Sequence, residues 1–186
     1  MTLTRPPAAA AAGHATRIPD ETDEYGTAHR WVLGVLRLGL GWIFLWAFLD
    51  KLLGLGHDTP SKGAWVSGGH PTLGFLKNAT EGPFADTYRS IAGAPWADSL
   101  FMVGLAGIGV ALMAGVAMRL AAASGSLLLV LMWSAVLPPA NNPFLDDHLI
   151  YAVTLVALAL LGAGHPLGLG RAWERLPLVR RHAFLR

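Results

Sequence analysis

Asn141-Asn142-Pro143-Phe144-Leu145-Asp146-Asp147-His148 is the stretch on which the fold turns. Residues 120–137 before it and 149–164 after it carry no charged side chain. Two amides, two carboxylates and an imidazole therefore stand between two apolar runs, each close to the roughly 20 helical residues that cross a bilayer. Polar groups gathered at the edge of a membrane need a reason to be there.

Composition widens the same conclusion. The chain has 186 residues, 53% hydrophobic and 14% charged, where a soluble domain carries about 25% charged residues. That length suits one bundle rather than two domains. The formal net charge is +2, but the basic residues flank apolar runs, where they report topology rather than a nucleic-acid partner. The absence of cysteine excludes a disulfide framework, a thiolate metal site, c-type haem attachment and a Cys-x-x-Cys electron shuttle.

Residues 1–29 show no apolar periodicity and carry Asp20, Glu21, Asp23 and Glu24, as expected of a disordered cytoplasmic tail. Residues 30–169 read as a membrane bundle, with spans at about 31–51, 98–118, 120–137 and 148–165. Arg37 interrupts the first span, either as an anchor that snorkels to the inner interface or as a buried partner for a carboxylate or ligand. In the second span Gly107, Ala111 and Gly115 recur every four residues, a spacing that lets helix backbones approach closely; Ala121 and Gly125 repeat it in the third. Pro138-Pro139 stops the third span, and Asp146 or Asp147 is placed to cap the fourth. The long connection 52–97 holds Pro71 and Pro83 at helix-start positions, with Phe84, Tyr88 and Ile91 at i, i+4 and i+7. It reads as short amphipathic helices capping the outer end of the bundle. Residues 170–186 read as a basic, interfacial cytoplasmic tail.

Orientation follows from lysine and arginine. With both termini inside, the inner side holds ten basic residues (Arg5, Arg17, Arg30, Arg37, Arg119, Arg171, Arg175, Arg180, Arg181, Arg186) and the outer side four (Lys51, Lys62, Lys77, Arg89). The expected fold is an all-α membrane protein: a four-transmembrane-helix bundle with short amphipathic helices in the first extracytoplasmic loop. It lies in a bacterial plasma membrane, multi-pass, with both termini cytoplasmic.

The outer end would then collect Lys51, Asn141, Asn142, Asp146, Asp147 and His148, with Lys51 in reach of Asp147 or His148. Tyr151 follows His148 by three and Asp147 by four, and so shares their helix face. A histidine beside a carboxylate and a phenol is the kind of set that binds and protonates a quinone head group. The competing assignment is that the amides and carboxylates only cap turns and helix ends. No metal is expected, because adjacent Asp-Asp-His offers poor ligand geometry. His57 and His70 read as exposed loop histidines.

Leu36-Arg37-Leu38, Leu40-Gly41 and Phe44-Leu45, leading into Asp50-Lys51-Leu52, resemble the opening of DoxX-type membrane proteins. Met132-Trp133, Leu137-Pro138-Pro139, Asn141-Asn142-Pro143, Asp146-Asp147-His148 and Tyr151 resemble the actinobacterial, DoxD-like branch of that family, as does the long first loop with Gly82-Pro83-Phe84-Ala85-Asp86. The resemblance covers residues 30–182. It implies a four-helix membrane bundle acting as the membrane subunit of a thiosulfate:quinone oxidoreductase, which oxidises thiosulfate to tetrathionate and passes electrons to quinone. On that basis Asp147 and His148 would manage protons and Lys51 would bind the anion. Trp133 and Tyr151 would flank a menaquinone or ubiquinone ring, with Asn141, Asn142 and Arg37 as further cofactor contacts. Expected partners are the lipid bilayer and a soluble or membrane redox subunit, with a homo-oligomer left open. A non-catalytic anchor or scaffold subunit of a redox or stress-response complex is the alternative.

Overall fold

The computed structural model describes residues 21–186, with side chains from Gly26 onward. Among these residues the protein is helical, with no strand. Four helices carry the mass: α1 (Glu21–Leu53), α4 (Pro95–Ala114), α5 (Met118–Ala135) and α6 (Asp147–Leu160). Short helices α2 (Leu73–Asn78) and α3 (Ala85–Ser90) lie in the α1–α4 connection, and α7 (Gly170–Trp173) and α8 (Pro177–Arg181) follow α6. Gly26–Leu53, Pro95–Ala114 and Met118–Ala135 are long and apolar enough to cross a membrane; Asp147–Leu160 is apolar but has 14 residues. The chain is a membrane-associated helical protein.

Helix α1 begins well before its apolar run. Residues 21–29, expected as part of the tail, continue it in helical form. The expectation for residues 1–20 lies outside the described residues.

Glycine sets how the long helices meet. A Cβ at Gly41 would lie 3.0 Å from Leu112 Cβ and Met113 N, and one at Gly109 would lie 2.8 Å from Leu45 N. Each helix thus presents a glycine to the other's backbone, and the pairing is antiparallel. The close-approach residue on α4 is therefore Gly109 and not Gly107, which is exposed and has open space where its Cβ would be. At Gly125 of α5 a Cβ would meet Leu155 of α6 at 2.7 Å, Ile108 of α4 at 3.3 Å and Phe44 of α1 at 3.7 Å. Four helices converge on one missing side chain. Around it Leu40, Leu105, Leu112, Leu129 and Leu158 form a continuous apolar core.

One end of the bundle, the loop end, carries the end of α1, the starts of α4 and α6 and the end of α5. The tail end carries the tight Gly115-Val116-Ala117 turn and the segment after α6. Gly115, with φ +72°, closes α4 there; its N–H bonds Leu112 O at 3.2 Å, and the neighbouring Gly164 and Gly168 leave no room for a Cβ.

Candidate functional site

At the loop end the polar stretch folds into local caps. Asn142 Oδ1 accepts from Phe144 N and Leu145 N, both at 2.9 Å, closing an Asx turn. Asp146 is the N-cap of α6, with Oδ1 accepting from Leu149 N at 3.3 Å. Its Oδ2 lies 2.7 Å from His148 Nδ1. His148 is thus oriented by Asp146, its direct partner; Asp147 Oδ1 is 3.6 Å from the same nitrogen, and its side chain is exposed. Trp133 Nε1 donates to Phe144 O at 2.8 Å, with the two rings edge to face. Asn141 is exposed, and Tyr151 packs against the core from a partly buried position.

Two expected members of this group are held elsewhere. Lys51 pairs with Asp58 at 2.5 Å rather than with Asp147 or His148. The reason is local: the Asp50 carboxylate, buried, accepts from the N–H groups of His57, Asp58 and Thr59 at 3.3, 3.1 and 2.8 Å, folding that turn back over the end of α1. Arg37 is at the tail end. It is fully buried, and its guanidinium donates to the carbonyls of Leu112, Met113 (3.0 Å), Pro166 (3.2 Å) and Leu167 (2.9 Å). Among the described residues it pairs with no carboxylate, and it does not reach the loop-end cluster; buried rather than snorkelling, it ties the end of α4 to the segment beyond α6. Asp146, Asp147 and His148 offer ligand atoms within 4.8 Å of one another, all from consecutive residues.

A cleft near the loop end lies between α4 and α5. There the helices part to leave about 420 Å³, within the roughly 300–1,000 Å³ of small-molecule sites. Phe101, Gly104 and Ile108 form one wall, and Leu127, Leu128 and Leu131 the other. The capping loop roofs it with Phe75 and Leu76 of α2 and with Tyr88 and Ile91 at α3. The rim is greasy and outward-facing: Leu100 is 68% exposed and Leu127 61%. None of Arg37, Lys51, Trp133, Asn141, Asn142, Asp147, His148 or Tyr151 lines it.

Two sets of bonds pin the roof. Tyr88 Oη lies 2.6 Å from Ser134 Oγ and donates to Leu131 O at 3.1 Å, and Glu81 N donates to Ala135 O at 3.0 Å, fixing the loop to the end of α5. On the other side Asp98, in the first turn of α4 and 2% exposed, accepts from Thr72 N at 3.0 Å and Thr72 Oγ1 at 2.6 Å, with His70 Nδ1 at 2.8 Å. His70 is exposed, as expected, and is also half of a His–Asp pair beside the cleft. Sequence reasoning missed this pair and the cleft. The signal available was Asp98 itself, an acid at the start of an apolar span.

No family model, curated protein or solved structure matches the chain.

Proposed function

We propose that this chain is the membrane subunit of a quinone-linked redox system, and that the cleft between α4 and α5 holds the quinone. The cleft is the observation that carries this: an apolar, loop-roofed site whose wall faces where lipid would be. A quinone fits its chemistry, because ring and isoprenoid chain need apolar walls and the head group needs a few polar atoms at one end. Bound there, it would supply a two-electron, two-proton acceptor. Phe101 and Leu128 would hold the ring or chain and the α2–α3 roof would exclude water. The cysteine-free chain offers no thiol relay, so electrons would come directly from the substrate or through a partner subunit. The resemblance to DoxX and DoxD proteins names the substrate as thiosulfate or another small sulfur compound.

In this proposal the bundle crosses the bacterial plasma membrane four times, loop end outside and both termini cytoplasmic, as the distribution of lysine and arginine favours. Helix α6 alone covers about 21 Å at 1.5 Å per residue, and the chain continues through residues 161–164 toward the inner interface. A non-catalytic anchor subunit is the second reading. It is favoured by the exposed Leu178 and Phe184 among the arginines of the tail, a surface fit for docking.

The test is extraction of the detergent-purified protein and mass spectrometry of what it carries. Near-stoichiometric quinone is expected. Gly104→Phe should lower it at least about tenfold while the protein stays folded, because nothing lies within 4 Å of a Cβ at Gly104 and the ring enters the cleft. Phospholipid in place of quinone, or a soluble partner with neither, would shift the assignment to a lipid cleft or to the anchor.

A further inference from the structure

We infer that His70, oriented by Asp98, is the head-group contact of the cleft and selects ligands with a neutral carbonyl or hydroxyl head; this rests on the cleft binding an apolar-tailed ligand, as proposed above. The starting point is the polar inventory. Of the hydroxyls that line the cleft, Ser124 Oγ donates to Leu120 O at 2.8 Å, Thr72 Oγ1 donates to Asp98, and Tyr88 Oη is taken up by Ser134 and Leu131. Each is already committed within the protein. His70 is different. Its Nδ1 is fixed by the Asp98 carboxylate at 2.8 Å, which sets the proton on Nδ1 and leaves Nε2 for another partner.

Placement supports the role. Pro71 and Thr72, the next two residues, line the cleft, and so do Trp96 and Ala97 immediately before Asp98. The imidazole is 48% exposed, so its free nitrogen is accessible. The exposed indole of Trp96 on the same rim supplies an N–H donor of the kind that settles at a membrane interface. Charge then chooses among heads. The buried Asp98 carboxylate beside the ring disfavours a phosphate or carboxylate head, which would face a like charge across it. A neutral oxygen meets no such penalty. Neutral Nε2 accepts from a hydroxyl, and protonated Nε2 donates to a carbonyl.

The experiment compares two probes on the intact chain in detergent by equilibrium dialysis, corrected for micelle partition. One is a short-chain quinol bearing a single isoprenoid unit and kept reduced, whose hydroxyl can donate to Nε2; the other is a hydrocarbon of the same ring and chain without oxygens. The native protein is expected to prefer the quinol by about tenfold, a hydrogen bond's usual share. His70→Phe should collapse that preference while hydrocarbon affinity holds, which also reports that the variant is folded. An unchanged preference in His70→Phe would overturn the assignment to His70 and leave the cleft standing; failure of the native protein to bind either probe would remove both. Should His70→Phe not fold, carbethoxylation of native His70, read by peptide mass spectrometry, decides. Stronger protection by the quinol than by the hydrocarbon supports the contact, and equal protection refutes it.

Discussion

Arg37 shows what one residue does when four carbonyls need it. Met113 and Leu112 belong to the last turn of α4, where backbone acceptors run short of helical donors, and Pro166 and Leu167 lie in the irregular segment after α6. The guanidinium serves both sets at once and puts positive charge at the negative end of α4. Replacing it by methionine keeps the apolar stem and orphans the carbonyls of Met113, Pro166 and Leu167, while Leu112 O keeps the Gly115 N–H, at about 1–3 kcal/mol for each one left unsatisfied. We expect Arg37→Met to lose about 3 kcal/mol or more in reversible unfolding in mixed micelles, followed by circular dichroism. Arg37→Lys should fall between, since one ammonium cannot reach all four oxygens. A neutral Arg37→Met would mean that water already serves those carbonyls. The sequence marked Arg37 as an anomaly within an apolar run, but its partners were illegible. They are backbone atoms more than 70 residues away, and no side-chain pattern announces a carbonyl. The same holds for His70, whose partner Asp98 lies 28 residues on. By contrast, Asn142 and Asp146 make bonds two and three residues away, and there the capping chemistry was readable.

Among the elements, α4, α5 and α6 were legible to within about five residues because charge-free runs are bracketed by Gly, Pro and charge, whereas α1 starts about ten residues before its expected span. The second span was expected at 98–118, and α4 is Pro95–Ala114; its proline at the first turn and its left-handed Gly115 set the true limits. The helix faces were harder. Gly107 and Gly109 differ by two positions, half a turn of helix, and only packing says which one meets α1. The roof was read as a cap, yet the cleft beneath it was hidden, since a cavity is an absence between two elements rather than a motif in either. The roof's attachment gives a prediction. Tyr88→Phe removes the bond to Ser134 and that to Leu131 while keeping the ring over the cleft, so global stability should drop by only about 1 kcal/mol. Amide exchange through residues 73–90 should nonetheless rise several-fold, because the segment is small and held mainly at its ends. Exchange confined to the native rate would show that apolar contacts alone hold the roof. Asp98→Asn should loosen the other edge, with faster exchange near Thr72 and little change near Tyr88.

For the whole molecule, Gly125 is the point on which bundle closure depends. A side chain there strikes Leu155, Ile108 and Phe44 together, so the helices must separate or the core must repack. Gly125→Leu should destabilise by about 1–3 kcal/mol, the usual range for overpacking, whereas the same change at Gly107, with open space around it, should be near neutral. Unfolding midpoints of the two variants in one detergent give the comparison. Topology across the membrane is a separate property that side-chain packing does not fix, because the bundle looks the same whichever end faces the cytoplasm. What fixes it is the charge left on each side, and at the loop end much of that charge is cancelled locally, as where Lys51 meets Asp58. The tail end keeps Arg171, Arg175, Arg180 and Arg181 exposed, which is the stronger retention signal. The absence of native cysteine makes the measurement direct. Single cysteines at Ala79 in the loop and at Arg175 in the tail, treated in intact cells with a membrane-impermeant maleimide, should label only at 79. After permeabilisation both should label. Labelling at 175 in intact cells would invert the bundle and put the roofed cleft on the cytoplasmic side, where a soluble partner could reach it directly.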